Sequence, residues 1–422
     1  MSTVADIIRH IEIPQMVEAR QCFDHKHIAD PRAEIMEQYD RKCVGERIAP
    51  GMSIAVTAGS RGIRNIRTIL GTVIEILKRA GAEPFIVPAM GSHGGATAEG
   101  QKNMLAGLGI TEESMGCPVR SSMQVTEIGK TDSGRTVFLD RNAAEADGIV
   151  IVNRIKAHTS FTGKYESGLM KMMAVGLGKQ KGAQACHCEG HGKMAEYVEE
   201  YGKAVLKHAN IVFGAAILEN AYDETRAVEI LFPEEFAERE PKLLAEAKQH
   251  MPKLYLSDID ILIVDRMGKD ISGLGMDPHV TGAFVSKYAR GPERPACLVV
   301  LDLTEKTHGN ATGIGVADIT TRRLAGKINF ETTYANVMTA VMPRAARIPL
   351  VMEDQRTAIQ AAIQASGCTD MDRLRMVRIK DTLHLEGIWV SPAMCSEVRM
   401  HPRMETRGRK IPLLFDEDGN LF

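Results

Sequence analysis

Residues 52–90, MSIAVTAGSRGIRNIRTILGTVIEILKRAGAEPFIVPAM, decide the fold class that the sequence predicts. The apolar run at 52–60 ends in small residues and indicates a buried strand, and 84–90 indicates a second one. Between them, apolar residues recur at spacings of three and four, as in an amphipathic helix: Ile66, Ile69, Leu70, Val73 and Leu77. A strand, a helix and a second strand in this order predict a parallel sheet with a helical crossover.

The same alternation continues along the chain. Further apolar strands are predicted at 148–158, 210–220, 258–268, 296–303 and 348–353, and helices at 233–250 and 354–367. We therefore predict an α/β protein with two α/β domains, parallel or mixed sheets, and an active site in the cleft between the domains. The predicted domains are 1–255, which would hold cofactor and catalytic residues, and 256–390, with a tail at 391–422 that packs back on the first domain.

Composition narrows the class of protein. The chain has 422 residues, a net charge of -2 and eight scattered cysteines. The near-zero charge gives no general attraction to nucleic acid or to an anionic membrane. The charged N-terminal segment is unlike a signal peptide, and no apolar run approaches the ~20 residues of a membrane helix. We expect a reduced cytoplasmic protein without nucleic-acid or membrane partners.

Two glycine-rich loops, AGSRGIR and GSHGGAT, follow the first two predicted strands. Ligands of parallel sheets bind at the carboxyl ends of the strands. Glycine turns expose backbone N–H groups to anions, Arg61 suits a carboxylate or phosphate, and His93 could move a proton. The plainer alternatives are a solvated arginine and a tight turn with an incidental histidine.

His158 and Lys171 are the next candidates along the chain. His158 follows another predicted strand, so it offers a second imidazole at the same edge as His93. Lys171 lies in the run GLMKMMAVGLG, where it either reaches the surface or is partly desolvated. Desolvation would lower the pKa of the amine and make it a nucleophile. Lys164, Lys179 and Lys181 have polar or glycine neighbours and are predicted to lie at the surface.

The segment ACHCEGHG could suggest a zinc site, but a single Cys-x-Cys without a second pair is a poor signature. One of the two histidines, His187 or His191, could instead ligate a metal whose other ligands come from a cofactor, and both could simply face solvent. In the second half of the chain, Asp277, His279 and Asp318 lie in loops that would suit a domain closing over a ligand.

Taken together, SRGIR, GSHGGAT, KAH, SGLMK and the histidine at 187 occur in an order and spacing that resemble the nickel-pincer-dependent lactate racemase family of 2-hydroxyacid racemases and epimerases. The resemblance is clearest over 52–190 and looser over the second domain. It implies an isomerase acting on a small 2-hydroxy acid, with nickel as the metal and the enzymes of cofactor biosynthesis as partners.

The resemblance also implies roles for individual residues. His93 and His158 match the two catalytic histidines. Lys171 matches the lysine that carries the nickel-pincer mononucleotide, and His187 the histidine that completes nickel coordination. Arg61 matches an arginine that contacts substrate or cofactor. Cofactor contacts are also predicted for the small residues of the two loops: Ser60, Gly94 and Gly95.

Three departures from the family pattern concern the substrate. Ala58 stands where the family usually has aspartate, TGKYES reshapes the loop after His158, and the GSHGG turn lacks an arginine after its histidine. They suggest a substrate other than lactate, either larger or a sugar acid. Two other functions stay open: a zinc-type hydrolase using His93, His158, His187 and His191, and a non-catalytic binder of an anionic metabolite.

Overall fold

The computed structural model describes residues 3–421. The strands, in chain order, are β1 (Met16–Gln21), β2 (Ser53–Ala58), β3 (Glu83–Pro88), β4 (Val125–Lys130), β5 (Thr136–Asp140), β6 (Gly148–Arg154), β7 (Ile211–Glu219), β8 (Thr225–Leu231), β9 (Ile261–Val264), β10 (Cys297–Val300), β11 (Ile319–Thr321), β12 (Leu350–Met352), β13 (Met376–Ile379), β14 (Gly387–Val390) and β15 (Met404–Ile411).

The helices, in chain order, are α1 (Thr3–Ile8), α2 (Pro31–Arg41), α3 (Ile66–Arg79), α4 (Ala98–Gly107), α5 (Glu112–Met115), α6 (Arg141–Ala144), α7 (Leu169–Lys171), α8 (Lys179–His187), α9 (Met194–His208), α10 (Pro233–His250), α11 (Pro278–Thr281), α12 (Arg322–Gly326), α13 (Phe330–Thr339), α14 (Gln355–Ser366) and α15 (Cys395–Met400). A π-helical turn, Met172–Gly176, lies between α7 and α8. No helix in the described part of the chain is long and apolar enough to cross a membrane.

The chain forms two compact units. One contains His25–Met251, and the other contains the described residues up to Asp24 together with the chain from Pro252 onward. The first unit has a five-stranded sheet of order β3-β2-β6-β7-β8, in which β8 alone is antiparallel to its neighbour. The predicted α/β fold class, with mixed sheets and helical crossovers, is confirmed.

Both faces of this sheet are covered by helices, as expected for parallel strands. Ile54 and Val56 of β2 pack in one apolar cluster with α3, whereas Ala55 between them packs in another with α7 and α9. Each large apolar side chain buried in this way contributes about 1.5–3 kcal/mol. The near-continuous apolar run of β2 is therefore the sequence signature of a strand buried on both faces.

The second unit has an eight-stranded sheet of order β12-β11-β10-β9-β13-β14-β1-β15. Its first five strands are parallel and the last three antiparallel to their neighbours. Helix α14 packs on it through an apolar stripe, with Ile359 and Ile363 among the same cluster as Ile261 and Val299.

The structure divides the chain differently from the sequence prediction in two respects. The predicted domain 1–255 is continuous, but β1 joins the second unit, where Val17 pairs with Val390. The predicted tail at 391–422 contributes β15, which pairs with β1 in that same sheet. Pairing between strands so far apart in sequence leaves no local pattern, which is why the division could not be predicted.

One buried carboxyl in α10 holds the start of α7. Glu240, 1% exposed, accepts a hydrogen bond from the backbone N–H of Met170 at 3.1 Å. A Cβ at Gly168 would lie 2.0 Å from Glu240 Oε1, so glycine permits this close approach. Burial raises the pKa of Glu240 to about 8, opposed in part by hydrogen bonds from Met170 and Leu169.

This raised pKa predicts a loss of stability as the pH rises. Between the ordinary glutamate pKa and about 8, the folded state holds a proton that the unfolded chain has released. The free energy of unfolding should therefore fall with pH in this window, by at most about 1.4 kcal/mol per pH unit. In Glu240→Gln, which stays neutral, urea denaturation across this range should show a flatter pH profile than the wild type. Glu238→Gln, an exposed change in the same helix, is the control, and parallel profiles for wild type and Glu240→Gln would contradict the assignment.

Candidate active site

His93 lies in the loop that connects β3 with α4. Its imidazole is solvent-exposed, and Nδ1 lies 2.5 Å from Ser60 Oγ, at the end of the neighbouring strand β2. Gly94 has a φ of 67°, and a Cβ there would lie 2.7 Å from the backbone nitrogen of Gln101. The glycines thus permit the tight turn that was one of the two interpretations of this loop. The turn also places His93 at the carboxyl edge of the sheet.

His158 follows β6, the neighbour of β2 on its other side. Its backbone N–H donates to Glu166 Oε2 at 2.6 Å, and its ring lies 4.3 Å from that of Phe161. Its Nδ1 accepts a hydrogen bond of 3.1 Å from the backbone N–H of Ser160. An accepting Nδ1 means that the neutral ring carries its proton on Nε2.

Glu166 is a site residue that the sequence interpretation missed. It is 1% exposed and ion-paired to Lys248 at 2.6 Å, and it also accepts from the backbone N–H of Gly163. Through its bonds to the backbone of His158 and of Gly163, Glu166 therefore holds the loop between these two residues. In the sequence it is one glutamate within the polar segment TGKYES, and no local signal marks it as buried.

Lys171 ends α7, immediately before the π-helical turn. Such turns are rare and are frequent at functional sites. Met170, Met172 and Met173 around it are buried, and the amine is half-buried, 5.7 Å from the centre of the Phe161 ring. Burial lowers the pKa of Lys171 to about 8, and the charge of Arg61 contributes. Lys171 is thus partly desolvated, which is the second of the two alternatives that the sequence left open.

His187 is the last residue of α8 and is half-buried. Burial lowers the pKa of His187 to about 4, with smaller effects from Lys171 and His191. Its ring is 5.9 Å from that of His191. His187 is therefore neutral at physiological pH, which is the form of imidazole that binds metals.

Arg61 follows Ser60 at the end of β2. The side chain is exposed, yet desolvation by its surroundings, together with the charge of Arg154, lowers the pKa of Arg61. Arg154, in turn, is ion-paired to Glu219.

These contacts connect the predicted residues of the first unit. His93 meets Ser60, Ser60 adjoins Arg61, and Arg61 lies near enough to Lys171 to lower its pKa. The charge of Lys171, in turn, contributes to the lowered pKa of His187. Phe161 lies between Lys171 and His158, in ring contact with the histidine and under the amine. The individual roles of these residues, including the cofactor contacts of Ser60, Gly94 and Gly95, stay predictions.

The predictions for the other candidates have different outcomes. Lys164 and Lys181 are exposed as predicted, but the surface position predicted for Lys179 is wrong, because this side chain is 0% exposed and paired with Asp140 at 3.1 Å. The other candidates lie in the second unit. There His279 Nδ1 is 3.0 Å from Asp277, and Asp318 pairs with Arg294 at 2.7 Å.

Comparison with known proteins agrees with the resemblance found in the sequence. Residues 37–197 match the family described as the lactate racemase N-terminal domain, which covers the first-unit candidates from Ser60 to His187. Residues 37–197 are thus similar to that domain, and the predicted resemblance to the lactate racemase family is confirmed. No curated protein sequence is significantly similar to the chain.

Two solved structures show a distant likeness. A protein from Thermotoga maritima is 14% identical, with a TM-score of 0.47 over 65% of this chain and 71% of its own. The lactate racemase apoprotein from Thermoanaerobacterium thermosaccharolyticum is 13% identical, with a TM-score of 0.45 over 87% of this chain and 88% of its own. With both scores below 0.5, neither likeness bears on function.

The environment of Lys171 predicts an unusually reactive amine. Competitive labelling with acetic anhydride across a pH series, read by peptide mass spectrometry, should give Lys171 a midpoint at about pH 8. Arg61→Leu should move that midpoint upward, because it removes a neighbouring positive charge. Arg79→Leu, in the last turn of α3, should leave it unchanged. If the labelling midpoint of Lys171 were the same in Arg61→Leu as in the wild type, the two side chains could not lie as close together as the structure shows.

Proposed function

We propose that the protein is a racemase or epimerase of a 2-hydroxy acid, and that it works by reversible hydride transfer with a nickel-pincer nucleotide bound covalently to Lys171. The observation that carries this proposal is the pair of imidazoles, His93 and His158, on the loops after β3 and β6, connected through Ser60 and Phe161 to the desolvated amine of Lys171. The lactate racemase N-terminal domain over 37–197 supports the same class of enzyme.

The residues present fit the proposed cofactor. A covalent attachment through nitrogen needs a lysine whose neutral form is accessible, and the pKa of Lys171 is lowered to about 8. A metal that already has ligands from its cofactor needs one neutral donor from the protein, and the pKa of His187 is lowered to about 4. When bound, the cofactor would supply a reversible acceptor for the hydride on the Cα of the substrate.

The chain's own residues would bind the substrate and move its hydroxyl proton. Arg61 would bind the carboxylate, a role to which a guanidinium is suited by its two parallel donors. One histidine removes the hydroxyl proton as the Cα–H bond is broken, and the other histidine returns a proton when the opposite configuration forms.

The substrate class follows from this chemistry. A 2-hydroxy acid offers a carboxylate for Arg61, a hydroxyl for the histidines and a Cα–H that is too weakly acidic for direct removal. Ala58 stands where the family usually has an acidic side chain, so we propose a substrate other than lactate, either larger or a sugar acid. The enzymes that make the cofactor would be its partners.

The two other functions have less support. A zinc-type hydrolase would need several ligands together, but over residues 3–421 no group of three or more His, Cys, Asp and Glu side chains is arranged to hold a metal ion. A binder of an anionic metabolite would need the glycine loops and Arg61, but it would not need two imidazoles whose rings are held by separate hydrogen bonds.

The covalent attachment is tested by intact mass. Protein made together with the cofactor-biosynthesis enzymes should carry an added mass that peptide analysis places on Lys171, and about one nickel per chain. Lys171→Ala should lose both the added mass and the activity, whereas Lys164→Ala, an exposed lysine of the same segment, should keep them. An active protein without any added mass would overturn the proposal.

The two histidines should be separately essential. His93→Asn and His158→Asn should each lower kcat by about 10²–10⁴-fold, the usual contribution of a general acid or base. His27→Asn, an exposed histidine of the same unit, serves as the control. Rates are measured by polarimetry with a panel of 2-hydroxy acids, on protein whose added mass has been verified. A variant of either site histidine with wild-type kcat on the best substrate would refute the assignment.

A further inference from the structure

Lys179 is a buried cation that the proposed chemistry does not use. Its side chain is 0% exposed, and Nζ lies 3.1 Å from Asp140, which is also 0% exposed. The residue adopts a left-handed backbone with φ of 53°, which is uncommon for a side chain other than glycine or asparagine. Nζ also donates to the backbone oxygen of Pro88 and, at 3.0 Å, to Gln101 Oε1.

Gln101 connects Lys179 with the loop that carries His93. The glutamine is 0% exposed, and Nε2 donates to the backbone oxygens of Gly91 at 2.8 Å and of His93 at 3.2 Å. An ammonium can only donate hydrogen bonds, so it requires the amide oxygen of Gln101 to face Lys179. The amide NH₂ must then face the loop, where the two carbonyls accept its hydrogens. The charge of Lys179 therefore sets the orientation of the amide that holds the main chain of His93.

Stability alone does not account for this arrangement. A buried ion pair is often no more stable than apolar residues of the same volume, because desolvation offsets the attraction. A strained backbone costs a further ~1–3 kcal/mol and persists mostly at functional sites. The two other residues that Lys179 contacts, Pro88 and Gln101, lie on either side of the His93 loop. Pro88 ends β3 before the loop, and Gln101 lies in α4 after it.

We propose that Lys179 is a positioning residue, which orients Gln101 so that its amide holds the backbone at Gly91 and His93 and thereby aims the imidazole of His93. This deepens the proposed racemase function and rests on it. Asp140 balances the positive charge of Lys179, and Ser60 contacts the imidazole of His93 at Nδ1. Lys179 touches no reacting atom in this account.

The test compares Lys179→Met with the double variant Lys179→Met/Asp140→Asn. The single variant leaves the carboxylate of Asp140 buried without its partner and could fail to fold, whereas the double variant leaves neither buried charge. Lys181→Met, an exposed lysine two residues away, is the matched control. With imidazole nitrogens labelled by ¹⁵N-histidine, the signals of His93, assigned by their loss in His93→Gln, should shift in the double variant, while those of His208 stay in place. In steady-state kinetics, the double variant should lower kcat by about tenfold to a hundredfold with KM nearly unchanged.

Gln101→Met should have the same effects, and adding it to the double variant should cause little further loss, because both changes act through one amide. Unshifted His93 signals and wild-type kcat in a folded double variant would overturn the proposal. The histidine spectra require no turnover, so they separate the two claims. Shifted His93 signals in a protein without racemase activity would keep the positioning role and refute the proposed function.

Discussion

The site depends on the parallel pairing of β3, β2 and β6. Ala58 lies beside Pro88 at the ends of β2 and β3, and Val56 lies beside Val150 in β6. Because parallel strands end at a common edge, loops with no sequence similarity emerge side by side. One of these loops carries Arg61, another His93, and a third His158. The helical segment 169–187, packed on one face of the same sheet, then supplies Lys171 and His187.

Basic side chains are concentrated at this edge, and burial disfavours their charged forms, so it lowers the pKa of Arg61, Lys171 and His187. Arg154 lies near Arg61 and Arg61 lies near Lys171, so a neighbouring charge helps to lower the pKa of Arg61 and of Lys171. Lys171 and His187 respond with lowered pKa values, which leave an amine and an imidazole ready to form bonds. Arginine stays charged under the same conditions, because its pKa is too high to cross the neutral range. This edge of the sheet therefore keeps a cation, Arg61, beside a neutral imidazole, His187, and an amine, Lys171, that loses its proton at about pH 8.

The sequence was sufficient for what depends on local pattern. Strand β2, helix α3 and strand β3 follow from the alternation of apolar residues in 52–90, and α10 occupies the predicted range 233–250. The order of the histidines and Lys171 led to the family that matches 37–197. Contacts between distant residues could not be predicted in this way. Lys179 has polar neighbours in sequence but is buried by α4 and β5, and nothing near it in sequence indicates Asp140 or Gln101 as partners.

The central claim is that the hydrogen on Cα moves as a hydride and returns to the same substrate molecule. The most direct measurement is racemisation of a 2-hydroxy acid carrying deuterium at Cα, carried out in ordinary water and followed by proton NMR and mass spectrometry. The account predicts that the product of opposite configuration keeps most of its Cα deuterium. Deuterium that is replaced by solvent hydrogen at the rate of racemisation would contradict it, since that result requires removal of the Cα hydrogen as a proton.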